Sequence, residues 1–445
     1  MIRIAAIAGF LLAAILMRLV LMHVSNAYGV DRAQPLTVVT YWQTDGLWMC
    51  GALLTGIAAA LCGYVQCLRT FSRAARYCAL ACIAALCVPA VFSSDVYAYA
   101  AYGQMLAHGM DPYSHARVTV HDPLLDAAQW QWGNPLPVCV YGPLFLVLAR
   151  FAVLFAPLGA AAPLWVLRIA ACAALAACVP LAQRAYAWLP ERERLRAACI
   201  IALNPAAIWA CAEGHNDVFA IACVLGGMAV MRRMPFWGGV LAGISGAIKG
   251  PAAAAALVAW RAAQGRAARI RAAAGSAVGI AVTLAASVPL LVAATHDLAP
   301  HGKFAPHFSP LFLFSLIAPM PVAVAVAAIC AVGVLAAGRG RAAYIVIALL
   351  MLVPNPYPWY GIWLLPVAAA VRSRYEQYAL IAASVLLMLR YFGEASSLLW
   401  PVSEAAIVIA TFGTPLAIFA GSGLSRSRRR ESHTAAPDLA PDRLP

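Results

Sequence analysis

An aspartate at position 95 ends an apolar stretch of the chain and is the most informative candidate for chemistry. Tyr99 and Tyr102 follow four and seven residues later, so a helix that begins here places all three side chains on one face. A carboxylate in this position can act as a general base. It can also be the N-cap of a helix that lies along a membrane interface, with its tyrosines at headgroup level. Composition and spacing leave both interpretations open.

Aromatic residues and carboxylates continue along the chain beyond this helix. Tyr113 ends an Asp-Pro-Tyr motif, and Tyr141 opens a Tyr-Gly-Pro motif where the next apolar stretch begins. Aromatic rings stack on the C–H faces of a sugar while carboxylates bind its hydroxyls, so these residues suit a sugar site. An interfacial aromatic belt is the alternative, and it explains the loop tryptophans Trp130 and Trp132 better.

A second polar group occupies residues 213–217, Glu-Gly-His-Asn-Asp, between two apolar stretches. His215, Asn216 and Asp217 are difficult to explain as apolar packing, although a polar turn between two helices is the alternative. A histidine beside an aspartate can ligate metal, but no His-x-x-x-His or Asp-x-Asp spacing accompanies it. We therefore predict a substrate-binding cluster here and no metal site.

The two lysines are conspicuous in a chain that has twenty-nine arginines. Lys249 precedes Gly-Pro within an apolar run, and Lys303 lies near His301 in a predicted external loop. An ammonium group is a compact charge that binds phosphate well, so the lysines and His301 are candidates for a phosphate clamp. Chance placement of so few lysines is the alternative.

The last motif is Asn-Pro-Tyr-Pro-Trp-Tyr at residues 355–360, where another apolar stretch begins. Trp359 and Tyr360 are candidates for substrate contacts. Prolines at the start of a helix and aromatic rings at a membrane interface also explain most of this motif.

Helices that span a membrane must position these residues. The chain is 64% hydrophobic and 11% charged, so a soluble fold would have more apolar surface than it could bury. Apolar stretches rich in Ala, Leu and Val recur along the sequence, and many can cross a hydrocarbon core about 30 Å thick. We predict an all-α, polytopic transmembrane bundle over residues 1–423 with roughly 14 spans, several of them short or broken.

Clusters of arginine mark the cytoplasmic turns and account for the net charge of +14, so nucleic-acid binding is not expected. Residues 93–140 then form the first large external loop, which holds the interfacial helix. This topology requires a short or re-entrant helix between Tyr141 and Arg196 and a broken helix at Lys249. Residues 424–445 are predicted to be a disordered, basic cytoplasmic tail.

The order of the motifs resembles that of the GT-C superfamily of polyprenyl-phosphate-sugar-dependent glycosyltransferases. The resemblance rests on Ser94-Asp95-Val96-Tyr97-Ala98-Tyr99, Asp111-Pro112-Tyr113, Tyr141-Gly142-Pro143, Asn204-Pro205, Gly214-His215-Asn216-Asp217, Lys249 and Pro358-Trp359-Tyr360. It covers about residues 80–370 and is greatest to the actinobacterial alpha-mannosyltransferases that extend lipomannan and to glycosyltransferase family 87. The family commonly has Asn-Pro-Tyr where this chain has Asp-Pro-Tyr.

The resemblance implies an integral membrane enzyme that moves a hexose, expected to be mannose, from a polyprenyl-phosphate donor to a lipid-linked or glycan acceptor. Asp95 would be the base of an inverting reaction, and Lys249 and residues 214–217 would lie close to the donor. The site would face the exterior of a bacterial inner membrane and be surrounded by lipid. No cofactor is expected, because the lipid-phosphate sugar is a co-substrate.

Two other classes of protein remain open at this point. A transporter or flippase of lipid-linked sugars also uses broken helices and intramembrane charges, although its polar residues usually lie near the midplane. A structural partner of a glycan-assembly complex would need no base at all.

Overall fold

The structure is a computed structural model, which describes residues 55–56, 58–69, 74–87, 93, 95–114, 117–250, 252, 259, 262–290, 292, 306–338, 341–391 and 402–421. Within these ranges the chain forms helices and turns, and no strand occurs. The all-helical prediction is confirmed for them. The first apolar stretch of the chain, the loop with His301 and Lys303, and the predicted tail lie outside the described residues.

The main α-helices are numbered here in chain order. They are α1 (Ala74–Leu86), α2 (Asp95–Ala107), α3 (Pro123–Trp132), α4 (Pro143–Val153), α5 (Ala162–Ala185), α6 (Glu191–Ala202), α7 (Pro205–Ala212), α8 (Asp217–Val230), α9 (Pro235–Ile244), α10 (Arg266–Ala286), α11 (Pro310–Ser315), α12 (Met320–Gly338), α13 (Ala342–Met351), α14 (Leu364–Ala370), α15 (Arg374–Leu386) and α16 (Val402–Val408).

Four helical segments in the described ranges are long and apolar enough to cross a membrane: α5, α10, α12 and Glu404–Gly421. Helices α6 and α7 meet at a bend of 47° and supply a fifth if they count as one span. Large apolar side chains on α12 are exposed, among them Ile329 and Val332, as expected of a surface that faces lipid. The chain is therefore a helical membrane protein, while roughly 14 crossings stays a prediction.

Helix α2 begins at Asp95, as predicted, and is followed by Gly109 with a φ of 71°. Its tyrosines, however, do not lie at an exposed interface. Tyr99 and Tyr102 are buried, and Tyr99 packs edge to face on Phe145 of α4 at 4.9 Å. Alanines at positions 98, 100 and 101 are buried too, and their small size lets α2 pack closely against its neighbours. Because they are buried, these tyrosines direct their hydroxyls at other protein groups and not at the membrane surface.

Irregular backbone occurs at two places where the predicted topology calls for a short or broken helix, although most of residues 251–260, the second half of the predicted broken helix, lies outside the described residues. Helix α4 is short, with eleven residues, and a 3₁₀ turn at Ala156–Leu158 separates it from α5. Helix α9 passes into a second 3₁₀ turn at Ser245–Ala247, after which Lys249 lies in non-helical backbone. Irregular backbone inside a helical bundle is tolerated where protein or a cavity surrounds it, and it commonly lines a site.

Helix α7 lies in the middle of the bundle, and all eight of its residues are buried. Asn204 caps its first turn, since the Asn204 Oδ1 accepts a hydrogen bond from the Ala206 N–H at 2.9 Å. Proline at the next position suits the first turn of a helix, because its missing N–H would have no helical partner there. The Asn-Pro motif therefore fixes the start of the helix that leads into residues 213–217.

Candidate active site

The carboxylate of Asp95 is surrounded by hydrogen-bonding side chains. Its Oδ2 accepts from the Tyr99 hydroxyl at 3.3 Å and from the Tyr141 hydroxyl at 3.5 Å, and it lies 3.6 Å from the His215 Nδ1. No described backbone N–H donates to this carboxylate, whereas the Asp95 N–H donates to the Ser93 Oγ at 3.2 Å. The contacts are therefore those of a carboxylate in a polar pocket and not those of an N-cap.

Burial makes this carboxylate a stronger base. The Asp95 side chain is 16% exposed and lies outside the candidate membrane-spanning helices. Burial raises the pKa of Asp95 to about 6, and the Lys249 ammonium and the Tyr99 hydroxyl limit that rise. The group stays ionised at neutral pH but binds a proton more readily than an ordinary carboxylate, which is the property a general base requires.

Lys249 forms a buried ion pair in the same site. Its Nζ donates to the Asp217 Oδ2 at 2.6 Å, and the Asp217 Oδ1 accepts from the Trp363 indole N–H at 2.6 Å. The Lys249 side chain is 11% exposed and that of Asp217 is fully buried. Asp217 takes one of the three donors of the ammonium group, so two remain for a ligand.

Tyr141 connects the carboxylate with the ammonium group. Its hydroxyl donates to Asp95, and its ring centre lies 5.8 Å from the Lys249 Nζ. The ring also packs edge to face on Tyr99 at 4.9 Å, while the Tyr113 hydroxyl donates to the Tyr141 carbonyl oxygen at 3.0 Å. These contacts hold one side chain against both charged groups, so the segment that leads into α4 and the segment after α9 meet at Tyr141.

Gly142, the residue after Tyr141, allows its segment to pack directly on the segment that precedes Lys249. The Gly142 N–H donates to the Ile248 carbonyl oxygen at 3.2 Å, which joins the Tyr-Gly-Pro motif to the segment just before Lys249. A Cβ at position 142 would lie 2.2 Å from the Ala247 carbonyl oxygen. The two backbones can approach this closely only because residue 142 has no side chain.

The turn at residues 213–217 presents His215 to Asp95. Gly214 has a φ of 87°, a conformation that glycine adopts without strain. The His215 ring is fully buried, and its Nε2 lies 3.9 Å from the Glu213 Oε2. Burial lowers the pKa of His215 well below its usual value, and the positive charge of Lys249 adds to this effect, so the imidazole is neutral at pH 7.

Aromatic stacking also holds the His215 ring in place. Trp359 stacks on it with centroids 4.0 Å apart, and Tyr357 stacks on Trp359 at 4.5 Å. Neither ring nitrogen of His215 makes a hydrogen bond within the described structure. Packing of aromatic faces therefore orients this imidazole.

A single 3₁₀ helix, Pro358–Trp363, supplies three aromatic contacts to the pocket. Trp359 packs on His215, Trp363 binds Asp217, and the Tyr360 ring centre lies 5.5 Å from the Lys249 Nζ. In a 3₁₀ helix, side chains three residues apart lie on one face, so Tyr360 and Trp363 share a face, while Trp359 projects from the neighbouring one.

Most of the residues predicted from the sequence lie together in this pocket. The members that contact one another directly are Asp95, Tyr99, Tyr141, His215, Asp217, Lys249, Trp359 and Tyr360. Tyr102 and Tyr113 do not contact the charged groups directly. Their hydroxyls donate to the carbonyl oxygens of Pro137 and Tyr141 and so hold the backbone that leads to the site. Asn216 is fully buried, and no described group hydrogen-bonds to its side-chain amide.

Three residues that shape the site were not predicted from the sequence. Trp363 binds Asp217, the Arg168 Nε donates to the Ala212 carbonyl oxygen at the end of α7, and Arg390 packs over Tyr357 at 3.8 Å. Each arginine stands alone in an apolar stretch, away from the clusters that mark cytoplasmic turns. A charge in that position is costly unless it has partners, and this signal could have identified both.

No group of three or more His, Cys, Asp or Glu side chains suited to a metal ion occurs among the described residues. The groups that converge on the pocket are a carboxylate, a paired ammonium, a neutral imidazole and aromatic rings. Together they can accept a proton, bind an anion and stack on a sugar ring.

The sequence model of one protein family, described as "Alpha-(1->6)-mannopyranosyltransferase, N-terminal domain", matches residues 3–264, which is more than half of the chain. The chain belongs to this family. The matched region contains Asp95, Tyr141, His215, Asp217 and Lys249. The resemblance to GT-C mannosyltransferases is therefore confirmed.

A curated relative agrees with this assignment. Alpha-(1->6)-mannopyranosyltransferase A of Mycobacterium tuberculosis (strain ATCC 25618 / H37Rv) is 31% identical over 146 residues, which is 33% of this chain. The match covers 28% of the length of that relative. No solved structure matches the chain.

Substituting Gly142→Ala should move the Tyr141 segment away from the segment that precedes Lys249. The added methyl group cannot fit beside the Ala247 carbonyl oxygen, so the Tyr141 segment must move away from Lys249. We expect a loss of sugar transfer of about a hundredfold, because a displacement near 1 Å misplaces reacting groups. Gly250→Ala is the matched control, since no atom of the described residues lies within 4 Å of a Cβ there. Equal activity of the two variants in membranes would contradict the proposed contact.

Proposed function

We propose that the protein is an integral membrane glycosyltransferase that moves a hexose, expected to be mannose, from a polyprenyl-phosphate donor to a lipid-linked or glycan acceptor. The observation that carries this proposal is the arrangement around Tyr141, whose hydroxyl binds Asp95 and whose ring faces the Lys249 Nζ. A base and a cation that both contact one aromatic side chain suit a sugar joined to a phosphate. The family supports mannose as the sugar.

Asp95 is the proposed base. As the acceptor hydroxyl oxygen bonds to the anomeric carbon, its proton passes to the Asp95 carboxylate and the bond between that carbon and the phosphate oxygen breaks. Attack opposite the leaving group inverts the configuration, so a beta-linked donor gives an alpha product. The hydroxyls of Tyr99 and Tyr141 would keep the carboxylate oriented toward the acceptor by hydrogen bonds, and the His215 ring, 3.6 Å away, would pack beside it.

Lys249 is the proposed partner of the leaving phosphate. Two of its N–H donors are available, and a positive charge in a site of low polarity stabilises the negative charge that develops as the bond breaks. Asp217, fixed by Trp363, would hold the ammonium group in place. A lipid phosphate can leave without being protonated, so the proposed step uses neither a general acid nor a cofactor.

The lipid donor also accounts for the location that we propose. A polyprenyl tail requires a site that opens to the bilayer, and residues 93–140 are expected on the external side by the positive-inside rule. We place the enzyme in the bacterial plasma membrane with its site toward the periplasm or exterior. His301 and Lys303 stay candidates for further phosphate contacts.

Replacing the base tests the enzyme assignment directly. Asp95→Asn keeps the size of the side chain but cannot accept the proton, so transfer should fall by about 10²- to 10⁴-fold. The measurement is mannose transfer from radiolabelled polyprenyl-phosphate mannose by membranes or proteoliposomes. Asp126→Asn is the matched control, because Asp126 lies in the same loop with a side chain that is 53% exposed.

A panel of lipid-phosphate sugars in this assay also distinguishes the rival functions. A flippase would move labelled lipid across proteoliposomes without consuming it, and an inactive structural partner would do neither. Full transfer by the Asp95→Asn variant would refute our assignment of the base.

The dependence of transfer on pH should reveal the same carboxylate. Because burial raises the pKa of Asp95 to about 6 and the base must be ionised, kcat/KM should fall as the pH is lowered through about 6. An unburied aspartate would retain activity roughly two pH units lower. The profile should be measured with saturating acceptor over pH 4.5 to 8, and an acid limb centred near 4 would contradict the prediction.

The ion pair of Lys249 allows a separate test of phosphate binding. Lys249→Gln alone leaves the buried Asp217 carboxylate unpaired, which should cost about 3–5 kcal/mol of stability. The double variant Lys249→Gln/Asp217→Asn removes both charges and should fold better than the single variant. Its transfer activity should nevertheless stay at least about a hundredfold below that of the wild type. Recovery of both thermal stability and activity in the double variant would exclude Lys249 from the phosphate site.

A further inference from the structure

Arg390 lies beyond the proposed active site, at the end of a continuous column of stacked groups. Its guanidinium carbon is 3.8 Å from the centre of the Tyr357 ring. The Tyr357 ring stacks on Trp359 at 4.5 Å with an interplanar angle of 8°, and Trp359 stacks on His215 at 4.0 Å. The His215 Nδ1 then lies 3.6 Å from the Asp95 Oδ2. The column thus ends at the proposed base.

Arg390 also holds the backbone that carries these rings. It is 5% exposed, and its Nη1 donates to the Asn355 Oδ1 at 2.6 Å and to the Pro356 carbonyl oxygen at 3.3 Å. The planar guanidinium can bond in its own plane and stack on Tyr357 with its face, a combination that lysine cannot reproduce. The cation therefore fixes both the ring and the main chain of the segment at residues 355–357.

A neighbouring loop adds a second support for the same segment. The His307 N–H donates to the Pro354 carbonyl oxygen at 3.0 Å, and the Phe308 N–H donates to the Glu404 Oε1 at 2.6 Å. Arg390 packs over the Phe308 ring as well, at 5.1 Å. One buried arginine is thus shared between this loop and the segment that begins the aromatic column.

We propose that Arg390 is a positioning residue for the transfer reaction, which acts through Tyr357 and Trp359 to keep the His215 ring against the Asp95 carboxylate. Since the ring nitrogens of His215 make no hydrogen bond within the described structure, aromatic packing sets the orientation of the imidazole. Removing Arg390 frees the far end of the column and lets His215 turn away from the base. The proposal rests on the proposed function, because Asp95 must be the base.

Arg390→Ala should lower kcat for mannose transfer by about ten- to a hundredfold, the range expected when a reacting group is slightly misplaced. The KM for the lipid-phosphate donor should change less than about twofold, because Arg390 lies outside the pocket. Arg390→Lys should recover part of kcat, since it keeps the charge but loses the planar fork.

Arg341→Ala is the control, because Arg341 also packs over a tyrosine ring away from the column, although its side-chain acceptor is a carboxylate and it is 33% exposed. Its guanidinium lies 4.4 Å over the Tyr344 ring, and its Nη1 donates to the Glu376 Oε1 at 2.6 Å. We expect this variant to retain the kcat of the wild type. A drop in kcat equal to that of Arg390→Ala would mean that loss of any such arginine impairs the enzyme, and it would overturn the proposal.

A double-mutant cycle shows whether Arg390 acts through the column. Trp359→Leu interrupts the column, so adding Arg390→Ala to it should lower kcat no further. Additive losses would overturn the proposal, because Arg390 would then act by another route. If Arg390→Ala does not fold, Tyr357→Leu removes the first ring while it keeps the cation, and it should lower kcat to the same extent.

A structural readout separates this proposal from the proposed function. The structure of Arg390→Ala in lipid nanodiscs should show the rings of Trp359 and His215 displaced from their positions in the wild type, with His215 farther from Asp95. Unmoved rings would overturn the proposal whatever the activity. Failure of the wild-type enzyme to consume any lipid-phosphate sugar would instead reject the proposed function.

Discussion

The buried ion pair between Lys249 and Asp217 is the constraint on which the site depends. Each charge is buried and needs the other as a partner. Removing a charged group from water costs several kcal/mol, and only an opposite charge or hydrogen bonds can offset that cost. The pair therefore fixes the break after α9 beside the start of α8. Trp363 joins the Asp217 carboxylate and brings in the 3₁₀ helix that carries Trp359 and Tyr360.

The proposed base is placed by the same arrangement. Tyr141 bridges the ammonium group and the Asp95 carboxylate, and it can do so because Gly142 lets its loop approach the segment before Lys249. The site thus holds a cation whose charge is partly balanced and a carboxylate that burial makes more basic, both in contact with Tyr141. An anion-binding group and a proton acceptor in one site are what transfer of a sugar from a lipid phosphate requires.

Aromatic stacking gives the site its rigidity where hydrogen bonds are few. A column of stacked groups runs from Arg390 through Tyr357 and Trp359 to His215, which lies beside the proposed base. In a membrane bundle, apolar burial adds little between helices, so shape, stacking and satisfied polar groups decide how elements pack. A buried arginine that bonds the backbone and stacks on the first ring is therefore well suited to fixing the position of the column.

The sequence by itself determined the helical membrane class, the start of α2 at Asp95, the break at Lys249 and most members of the pocket, because apolar length and costly polar residues are local signals. Only the tertiary structure decided which of those residues meet. It turned Tyr99 and Tyr102 inward, set Tyr113 behind the pocket and paired Lys249 with Asp217. It also revealed Trp363 and Arg390, since contacts between residues 146 and 35 positions apart leave no local pattern. Asp95 could be chosen from its neighbours along the chain, but its basicity depends on groups that only folding places around it.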